Sequence, residues 1–252
     1  MAEKHDPLAE RMRLPHVVMD HGTRVWKARK IIALVGEERF LHARRILEIG
    51  CGSGVIAATL RELGPTGLEV HAVDVVDSRS ESSCYTFQLV AGTALPFADD
   101  SFDIVISNHV IEHVGPRPDQ LAHLREIHRV LASSGLGYLA VPNKWRLLEP
   151  HFRLPLLSWL PQSIADRYVR LARQGTHYDC LPLSLRSAAE LFDETGFDAR
   201  DATVDAFRAT VAIEFAPGGA FAWLSRAAPD AIVGMAKQAM PTFVFLLRPR
   251  LA

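Results

Sequence analysis

Three glycines at every second position end a short apolar run, an arrangement suited to holding a ligand against the main chain. They follow a run that closes at Ile49, and a helix-forming stretch begins directly after them at Val55. Glycine adopts φ > 0 without strain and permits close approach, while the first turn of a helix offers free N–H groups. The pattern predicts a buried strand, a tight turn and a helix. The residues expected to contact the ligand at this turn are Glu48, Gly50, Cys51, Gly52 and Gly54.

A carboxylate closes the next apolar run. Asp74 lies 20 residues after Gly54. Because an ionised carboxylate only accepts hydrogen bonds, Asp74 at a strand end suits two ribose hydroxyls. Ribose recognition alone fits several nucleotides, but the glycine spacing here is G-x-G-x-G, whereas dinucleotide sites use G-x-G-x-x-G. A tight turn that binds no ligand is the alternative.

The segment 48–54 resembles motif I of the class I S-adenosylmethionine (AdoMet) dependent methyltransferases. The Leu-Pro-Phe group at 95–97, Ser-Phe-Asp at 101–103, Glu-His-Val at 112–114 and Val-Pro-Asn at 141–143 resemble the methyltransferase type 11 group, which includes quinone-biosynthesis methyltransferases. The resemblance covers about 46–143. It implies AdoMet as cofactor, with S-adenosylhomocysteine as product. It also implies an α/β, Rossmann-like, seven-stranded sheet, mostly parallel with the last strand antiparallel, flanked by helices and carrying a helical lid.

The loop after the third strand departs from this family. Many relatives place an acid there that binds the adenine amino group, but this chain has Ala-Gly-Thr at 91–93. We expect the adenine to be held by the backbone of Gly92 and the hydroxyl of Thr93, with Val75 and Leu95 packed against its faces.

A histidine-containing group stands where the fourth strand ends, at the edge where ligands of open α/β sheets bind. Asn108 and His109 are expected to border the cofactor. His109 and His113 would share a helical face, but no metal site is expected, because an H-E-x-x-H pattern and further ligands at useful spacing are lacking. His113 is a candidate general base or substrate-orienting group, or else a hydrogen-bonded residue that stabilises the loop. The other catalytic candidates are Glu112 and His177.

The chain divides into an N-terminal helical cap, residues 1–44, and a methyltransferase domain, residues 45–252. An apolar stripe in the cap should pack on the sheet edge or over the cofactor mouth. Its members are Trp26, Ile31, Leu34, Val35 and Leu41. The inserted segment, residues 142–182, is rich in proline and large apolar residues. It is predicted to form a lid over the acceptor; the alternative is a helical cap packed on the core.

Periodicity also predicts a helix over 118–131, with Arg125, Glu126 and Arg129 on its solvated face, and a capped helix over 184–195. Strands are predicted over 197–204 and 241–247, with a helix or hairpin between them over 215–225. Phe221, Trp223 and Leu224 could join apolar residues of the inserted segment in a peripheral membrane contact, although core burial is the favoured interpretation.

Composition excludes some classes of function. The 252 residues include 28 basic and 29 acidic side chains, so a broad nucleic-acid footprint is not expected. The 3 cysteines are scattered, as is typical of a reducing compartment. The charged N-terminus and the absence of an uncharged run of roughly 20 residues favour a cytoplasmic protein.

The leading hypothesis is methyl transfer from AdoMet to a small-molecule or lipid-linked glycan acceptor, at oxygen. A quinone-type carbon acceptor stays open within that class. Two alternatives come from other classes: an NAD-dependent oxidoreductase, which the glycine spacing disfavours, and a non-catalytic AdoMet-binding partner protein. The oligomeric state stays open.

Overall fold

The computed structural model describes residues 21–81, 84–215 and 228–250. Apolar runs form strands and the amphipathic stretches between them form helices. The strands are β1 (Arg45–Ile49), β2 (Glu69–Asp74), β3 (Thr86–Leu89), β4 (Phe102–Asn108), β5 (Leu131–Pro142), β6 (Phe197–Asp201) and β7 (Thr242–Pro249). The α-helices are α1 (His21–Val35), α2 (Glu37–His42), α3 (Val55–Leu63), α4 (Arg117–Val130), α5 (Gln162–Leu171), α6 (Leu185–Glu194), α7 (Thr203–Glu214) and α8 (Asp230–Met235). Short 3₁₀ helices occupy Leu157–Trp159 and Lys237–Ala239.

The strands of the described residues form one sheet of 7 strands in the order β3-β2-β1-β4-β5-β7-β6. β1 pairs in parallel with β2 and β4, and the pairs β2–β3 and β4–β5 are also parallel. β7 lies between β5 and β6 and is antiparallel to both. The predicted mostly parallel, seven-stranded sheet with an antiparallel last strand is confirmed.

Helices cover both faces of the sheet because its central strands are apolar on both sides. Successive strand residues point to opposite faces, and Ile46 and Leu47 of β1 are both fully buried. Ile46 belongs to a core that includes residues of α1, α3 and α7, whereas Leu47 belongs to a second core with residues of α4 and α6. Because β1, β2 and β4 are parallel, their carboxyl ends meet at one edge of the sheet, where ligands of such sheets bind.

Two helices agree with the sequence prediction to within one residue at each end. α4 begins at Arg117 with Pro118 in its first turn, where a missing N–H costs nothing. α6 begins after Ser184, whose side chain accepts a hydrogen bond from the Ser187 backbone N–H in a capping box. Both helices turn their apolar stripe to the second core.

The N-terminal stripe was predicted correctly at Ile31, Leu34 and Val35, which are buried, and wrongly at its two ends. Trp26 is 43% exposed and Leu41 is 54% exposed, whereas Arg24 and Ala28 face the core with Ile31. The helical phase is broken after α1 at Gly36, where φ is 95°, so Leu41 in α2 does not continue the stripe. α1 packs against α3 and α7 on a face of the sheet rather than at its edge. Residues 21–44 therefore share the main core; residues 1–20 lie outside the described residues.

The region after β6 also differs from the prediction. The strand was expected over 197–204 but ends at Asp201, because α7 begins at Thr203. The Asp201 carboxylate accepts a hydrogen bond from the Thr203 backbone N–H, which helps to start this helix. Of the predicted helix or hairpin over 215–225, only Phe215 lies within the described residues. Phe221, Trp223 and Leu224 lie outside them.

Arg129 of α4 does not lie on a merely solvated face. Its guanidinium donates hydrogen bonds to the backbone carbonyls of Leu95 and Phe97 and to both oxygens of Glu126. Glu126 in turn accepts a hydrogen bond from the Leu95 backbone N–H at 2.8 Å. The pair fixes the loop that follows β3, at the edge of the sheet where the site lies. Arg125 alone of the three predicted surface residues is exposed.

The inserted segment, residues 142–182, has a small core of its own. The side chains of this core are Phe152, Leu157, Ala165, Val169, Tyr178 and Cys180. Both ends of the segment are fixed to the main domain: the Lys144 backbone N–H donates to the Leu183 carbonyl, and the Leu181 N–H donates to the Glu112 carbonyl at 2.7 Å. The second bond places the end of the inserted segment beside the loop after β4.

Among the helices of the described residues, none combines the length and the apolar character needed to cross a lipid bilayer.

Candidate cofactor and acceptor site

The glycine turn after β1 has the conformation that its sequence predicts. Gly50, Gly52 and Gly54 have φ of 69°, 53° and 78°, values that L-residues with a side chain rarely adopt. A Cβ at Gly50 would overlap the side chain of Val110, so Val110 in the loop after β4 packs directly against the backbone of the turn. Gly54 is the N-cap of α3, whose first N–H groups face the turn.

Asp74 closes the turn from the end of β2. Its Oδ2 accepts a hydrogen bond from the Gly52 N–H at 2.8 Å, and its Oδ1 accepts from Val75 at 2.7 Å and from Val76 at 3.3 Å. Each carboxylate oxygen can accept about two hydrogen bonds. Oδ2 therefore retains one acceptor position for a ribose hydroxyl. A second hydroxyl at Oδ1 would have to displace the long bond from Val76.

The segment that follows β2 lies across this turn. The Ser80 and Glu81 backbone N–H groups donate to the Ser53 carbonyl at 2.9 and 3.2 Å. The Tyr85 hydroxyl donates to the Glu81 carbonyl and lies where a Cβ at Gly54 would be. Within the described residues the Ser53 hydroxyl is buried without a hydrogen-bond partner. The unpartnered Ser53 hydroxyl is therefore available to a polar group of a cofactor, whereas Val110 and Tyr85 occupy the space beside Gly50 and Gly54. Sequence reasoning did not select Ser53 or Tyr85.

The side chains of Glu48 and Cys51 are buried beneath the turn. Both are 1% exposed, although contact with the ligand was expected. The Glu48 carboxyl group accepts a hydrogen bond from the backbone N–H of Ala57 in α3 and lies near Arg24 of α1. Burial raises the pKa of Glu48 to about 8, against the opposing effect of the Arg24 charge. Glu48 therefore connects β1 with α1 and α3.

The residues expected around the adenine separate into two groups. Val75 is 58% exposed, and Gly92 and Thr93 lie in the open loop after β3, where a Cβ at Gly92 would meet nothing. These three remain accessible to a ligand. Leu95 is buried in the second core at 7% exposed, so the expectation that it packs against a ligand is corrected.

The loop after β4 is a turn rather than a helix, so His109 and His113 do not share a helical face. Asn108 ends β4 and is half-buried. His109 has φ of 60°, a strained conformation for a residue with a side chain, and its N–H donates to the Ala140 carbonyl at 2.9 Å. Strain of this kind concentrates at functional sites.

Glu112 is the most buried acid of this loop, at 1% exposed. Its Oε1 is 3.3 Å from His109 Nδ1 and 3.9 Å from His113 Nε2. Within the described residues neither carboxylate oxygen accepts a hydrogen bond. A buried carboxylate without a donor is costly, and the nitrogens of these two imidazoles are the nearest groups that could donate to it.

Behind this loop, Ser107 of β4 and His123 of α4 are both buried and lie 2.9 Å apart, Oγ to Nε2. Burial lowers the pKa of His123 to about 4. The imidazole is therefore neutral at pH 7 and acts as a fixed hydrogen-bonding group that supports β4.

His177 is not brought into the site with the other two catalytic candidates. It lies on the exposed surface of the inserted segment, with Nδ1 2.9 Å from the Thr176 hydroxyl. Two other residues of the segment approach His113. Cys180 Sγ lies 3.6 Å from His113 Nδ1, and the His113 and His151 rings are 5.6 Å apart, edge to face. Sequence reasoning missed both residues, because they are distant from His113 along the chain and follow no recognisable spacing.

The strand order, the glycine turn and the acid at the end of β2 define a class of protein. Residues 47–139 match the family model described as a methyltransferase domain. Together these features are similar to those of the class I AdoMet-dependent methyltransferases, and the Ser53 hydroxyl and the open acceptor position of Asp74 fit AdoMet as the cofactor.

Individual relatives agree with this class. An uncharacterized methyltransferase of Mycobacterium avium is 40% identical over 104 residues, which is 38% of this chain and 39% of the relative. A ubiquinone biosynthesis O-methyltransferase of Ruegeria pomeroyi is 30% identical over 144 residues, or 52% of this chain and 56% of the relative. The match therefore spans less than two thirds of the length of these curated relatives.

A solved structure shows the same fold. The S-adenosylmethionine-dependent methyltransferase of Mesorhizobium loti superposes with a TM-score of 0.53 at 15% identity, and the match covers 86% of this chain and 94% of that chain.

Proposed function

We propose that this chain transfers the methyl group of AdoMet to an oxygen atom of a small-molecule or lipid-linked glycan acceptor, bound beneath the inserted segment 142–182. The observation that carries the proposal is the Asp74 carboxylate, which closes the glycine turn on the Gly52 N–H and keeps one acceptor position open. The domain division belongs to the same proposal, with residues 1–44 as an N-terminal helical cap and residues 45–252 as the methyltransferase domain that carries the site.

Bound AdoMet would supply a methyl group already activated by its positive sulfur. The chain must therefore bind and orient both reactants and exclude water, and effective molarities of order 10⁵ M can supply most of the rate. The glycine turn, Asp74, Val75 and the loop at Gly92 and Thr93 would hold the cofactor. The inserted segment would exclude water from the acceptor.

An alcohol acceptor also has to lose its proton. His113 is half-buried at the acceptor edge, with the Glu112 carboxylate 3.9 Å from its Nε2. A neutral imidazole can accept the proton of a hydroxyl, and the nearby carboxylate would stabilise the charge that then develops on the ring. We assign the role of general base to His113, supported by Glu112, and none to His177.

The surface of the inserted segment supports an amphiphilic acceptor. Five large apolar side chains are 40% to 69% exposed there: Trp145, Leu147, Leu148, Leu156 and Trp159. They lie close together, because Leu156 donates a backbone hydrogen bond to Leu147 and the two indole rings are 5.7 Å apart. Contiguous apolar surface of this kind suits a lipid-linked acceptor or a peripheral membrane contact. The relatives named as ubiquinone O-methyltransferases support oxygen as the methylated atom.

A cytoplasmic location and an acceptor other than a nucleic acid complete the proposal. The cysteines of the described residues form no disulfide, as is typical of a reducing compartment. The formal charge of −1 offers no excess of basic residues for a phosphate backbone.

Calorimetric titration with AdoMet, S-adenosylhomocysteine and NAD tests the cofactor assignment. We expect AdoMet to bind and Asp74→Ala to weaken binding by about 1–3 kcal/mol, the cost of losing hydrogen bonds to a charged group. Asp77→Ala is the matched control, because Asp77 is an exposed acid of the same segment that pairs with Arg79. Binding of NAD without AdoMet, or equal AdoMet affinity in both variants, would overturn the assignment.

Transfer of a labelled methyl group to a panel of sugars, lipid-linked glycans and quinols tests the reaction itself. We expect product with an alcohol or phenol acceptor, and His113→Ala should lower kcat. AdoMet binding without transfer to any acceptor would favour the non-catalytic partner hypothesis, and a carbon-methylated product would replace oxygen with carbon as the target.

A further inference from the structure

We propose that His113, His151 and Cys180 bind a divalent transition-metal ion of the Zn²⁺ type where the inserted segment meets the loop after β4. The ligand atoms of the three side chains lie within 4.8 Å of one another. The residues come from three separate stretches of the chain, which only the fold brings together. Ion binding at this point would join the two parts of the acceptor site.

The spacing of these atoms is close to that of a metal site. With Zn–N and Zn–S bonds of about 2.0–2.3 Å, ligand atoms of a tetrahedral ion are separated by about 3.3–3.8 Å. Cys180 Sγ and His113 Nδ1 already have this separation, at 3.6 Å. His151 is partly exposed in a loop of the inserted segment, so rotation of its side chain can supply the third ligand without moving the sheet.

The donor set selects the class of ion. A thiolate and two imidazoles are soft or intermediate ligands, which favour Zn²⁺ and its neighbours over Mg²⁺ or Ca²⁺. Three protein ligands that leave a fourth position open are typical of catalytic zinc sites, whereas structural sites use four.

Glu112 supplies an independent observation. When the Nδ1 atom of a histidine binds a metal, the other ring nitrogen commonly donates its proton to a carboxylate, which fixes the tautomer and the orientation of the ring. His113 presents Nδ1 to Cys180, and its Nε2 is 3.9 Å from Glu112 Oε1. The buried Glu112 carboxylate would gain in this way the hydrogen bond that it lacks within the described residues.

A small cavity adjoins the cluster and has room for about one water molecule. His151, Cys180, Glu149 and Tyr178 line it, and the buried Tyr178 hydroxyl has no hydrogen-bond partner in the described part of the chain. The open coordination position would hold a water molecule or an acceptor hydroxyl near this cavity. With the ion bound, both ring nitrogens of His113 would be engaged, so the ion would take the place of His113 in activating the acceptor hydroxyl. This role rests on the proposed function, whereas the binding of the ion does not.

Titration of the metal-free full-length chain with Co²⁺ tests the proposal directly, because Co²⁺ substitutes for Zn²⁺ and reports its ligands by absorption. We expect one equivalent to bind with a thiolate-to-cobalt charge-transfer band and the intense visible bands of tetrahedral coordination. Zn²⁺ should displace the cobalt. Binding without the thiolate band would show that Cys180 is not a ligand and would overturn the site.

Variants locate the ion. His151→Gln and Cys180→Ser should each lower Co²⁺ affinity at least tenfold. Thermal unfolding of the metal-free variants is the control that tests whether they remain folded. His151→Gln is the decisive variant, because His151 is partly exposed and its replacement leaves the core of the inserted segment intact. The matched controls are His177→Gln, an exposed histidine of the same segment, and Cys84→Ser, a cysteine elsewhere.

Unchanged affinity in His151→Gln, or equal losses in the controls, would mean that the three side chains form only a packing and hydrogen-bonding cluster. The titration contains no AdoMet, so its failure is separate from failure of the cofactor assignment. Metal binding with no AdoMet binding would retain the site and reject the proposed function.

Discussion

The two halves of the candidate site are built by different means. On the cofactor side, the turn after β1 consists of backbone groups from one short stretch, 50–54, completed by the Asp74 carboxylate. On the acceptor side, side chains from the loop after β4 meet side chains of the inserted segment, and His113, His151 and Cys180 are far apart along the chain. The first half needs local sequence and a standard sheet; the second needs the whole tertiary structure.

This difference has a consequence for substitution. A backbone-built site tolerates changes of side chain except where the glycines are required, because φ > 0 and close approach belong to glycine. A site built from side chains depends on every contact that positions those side chains. One such contact is the hydrogen bond from the Leu181 backbone N–H to the Glu112 carbonyl, which holds the inserted segment beside the loop after β4. Variants that separate steric from conformational effects can therefore test the contrast.

The largest effect is expected at Gly50. Gly50 and Gly92 have nearly the same φ, 69° and 70°, but a Cβ would overlap Val110 at the first and meet nothing at the second. Gly92→Ala should cost about 1–2 kcal/mol of unfolding free energy, from left-handed strain alone. Gly50→Ala should cost that amount and about 1–3 kcal/mol more from overpacking. Urea unfolding of the two variants measures the difference.

A second substitution completes this comparison. In Gly50→Ala/Val110→Ala the overlapping side chain is shortened, so the excess cost over Gly92→Ala should largely disappear after subtracting the effect of Val110→Ala. Equal costs for Gly50→Ala and Gly92→Ala would contradict the view that close backbone approach builds the turn.

An intermediate effect is expected at Arg129. The contacts of this residue fix the loop after β3 through side chains, although the loop lies on the cofactor side. Arg129→Ala removes the hydrogen bonds to the carbonyls of Leu95 and Phe97 and leaves Glu126 without its partner. We expect a loss of about 1–2 kcal/mol, because the guanidinium is partly exposed to solvent. Unfolding free energy is the measurement.

Arg125→Ala is the matched control for this prediction, since Arg125 lies exposed on the same helix and should cost less than about 0.5 kcal/mol. Hydrogen exchange at the Leu95 amide should also accelerate in Arg129→Ala alone. Similar losses in both variants would mean that the loop after β3 does not depend on this network.

The contrast also explains how much could be read from the sequence. The sheet, the glycine turn and Asp74 were predictable because apolar period, glycine spacing and a strand-end acid are local signals. The exposure of Trp26 and the burial of Arg24 were not, because helical phase in α1 is decided by what packs against it. Glu48 was expected to contact the ligand because it adjoins the glycines in the sequence. Alternation along β1 places its side chain, like that of Ile46, on the face of the sheet that α1 and α3 cover.

The acceptor side was less accessible to the same reasoning. Glu112 and His113 were selected from their motif, and the structure brings them together at the sheet edge. His177 was a candidate, whereas Cys180 and His151 were missed, because sequence alone gives no distance between the inserted segment and the loop after β4. Three-dimensional proximity between residues 38 or more positions apart leaves no periodic signal in a single sequence.

The smallest effect is expected at Glu48, a buried acid beneath the backbone-built turn. Its folded-state pKa of about 8 lies above its ordinary value of 4.5, so the folded protein retains a proton that the unfolded chain releases between these pH values. Its contribution to stability is therefore fully present below about pH 4.5 and is lost as pH rises through 8. The loss between pH 7 and 8 should be about 1 kcal/mol, given about 1.4 kcal/mol per proton and pH unit.

Glu48→Gln has the shape of the protonated acid but cannot ionise, so its unfolding free energy should change less between pH 7 and 8 than that of the wild type. His123, with a folded-state pKa of about 4 and an ordinary value of 6.5, contributes little in this window. Glu62→Gln, at an exposed acid of α3, should retain the wild-type slope. If Glu48→Gln also retained that slope, Glu48 would be ionised at pH 7 and paired with Arg24, and the base of the cofactor turn would contain a buried ion pair rather than a neutral acid.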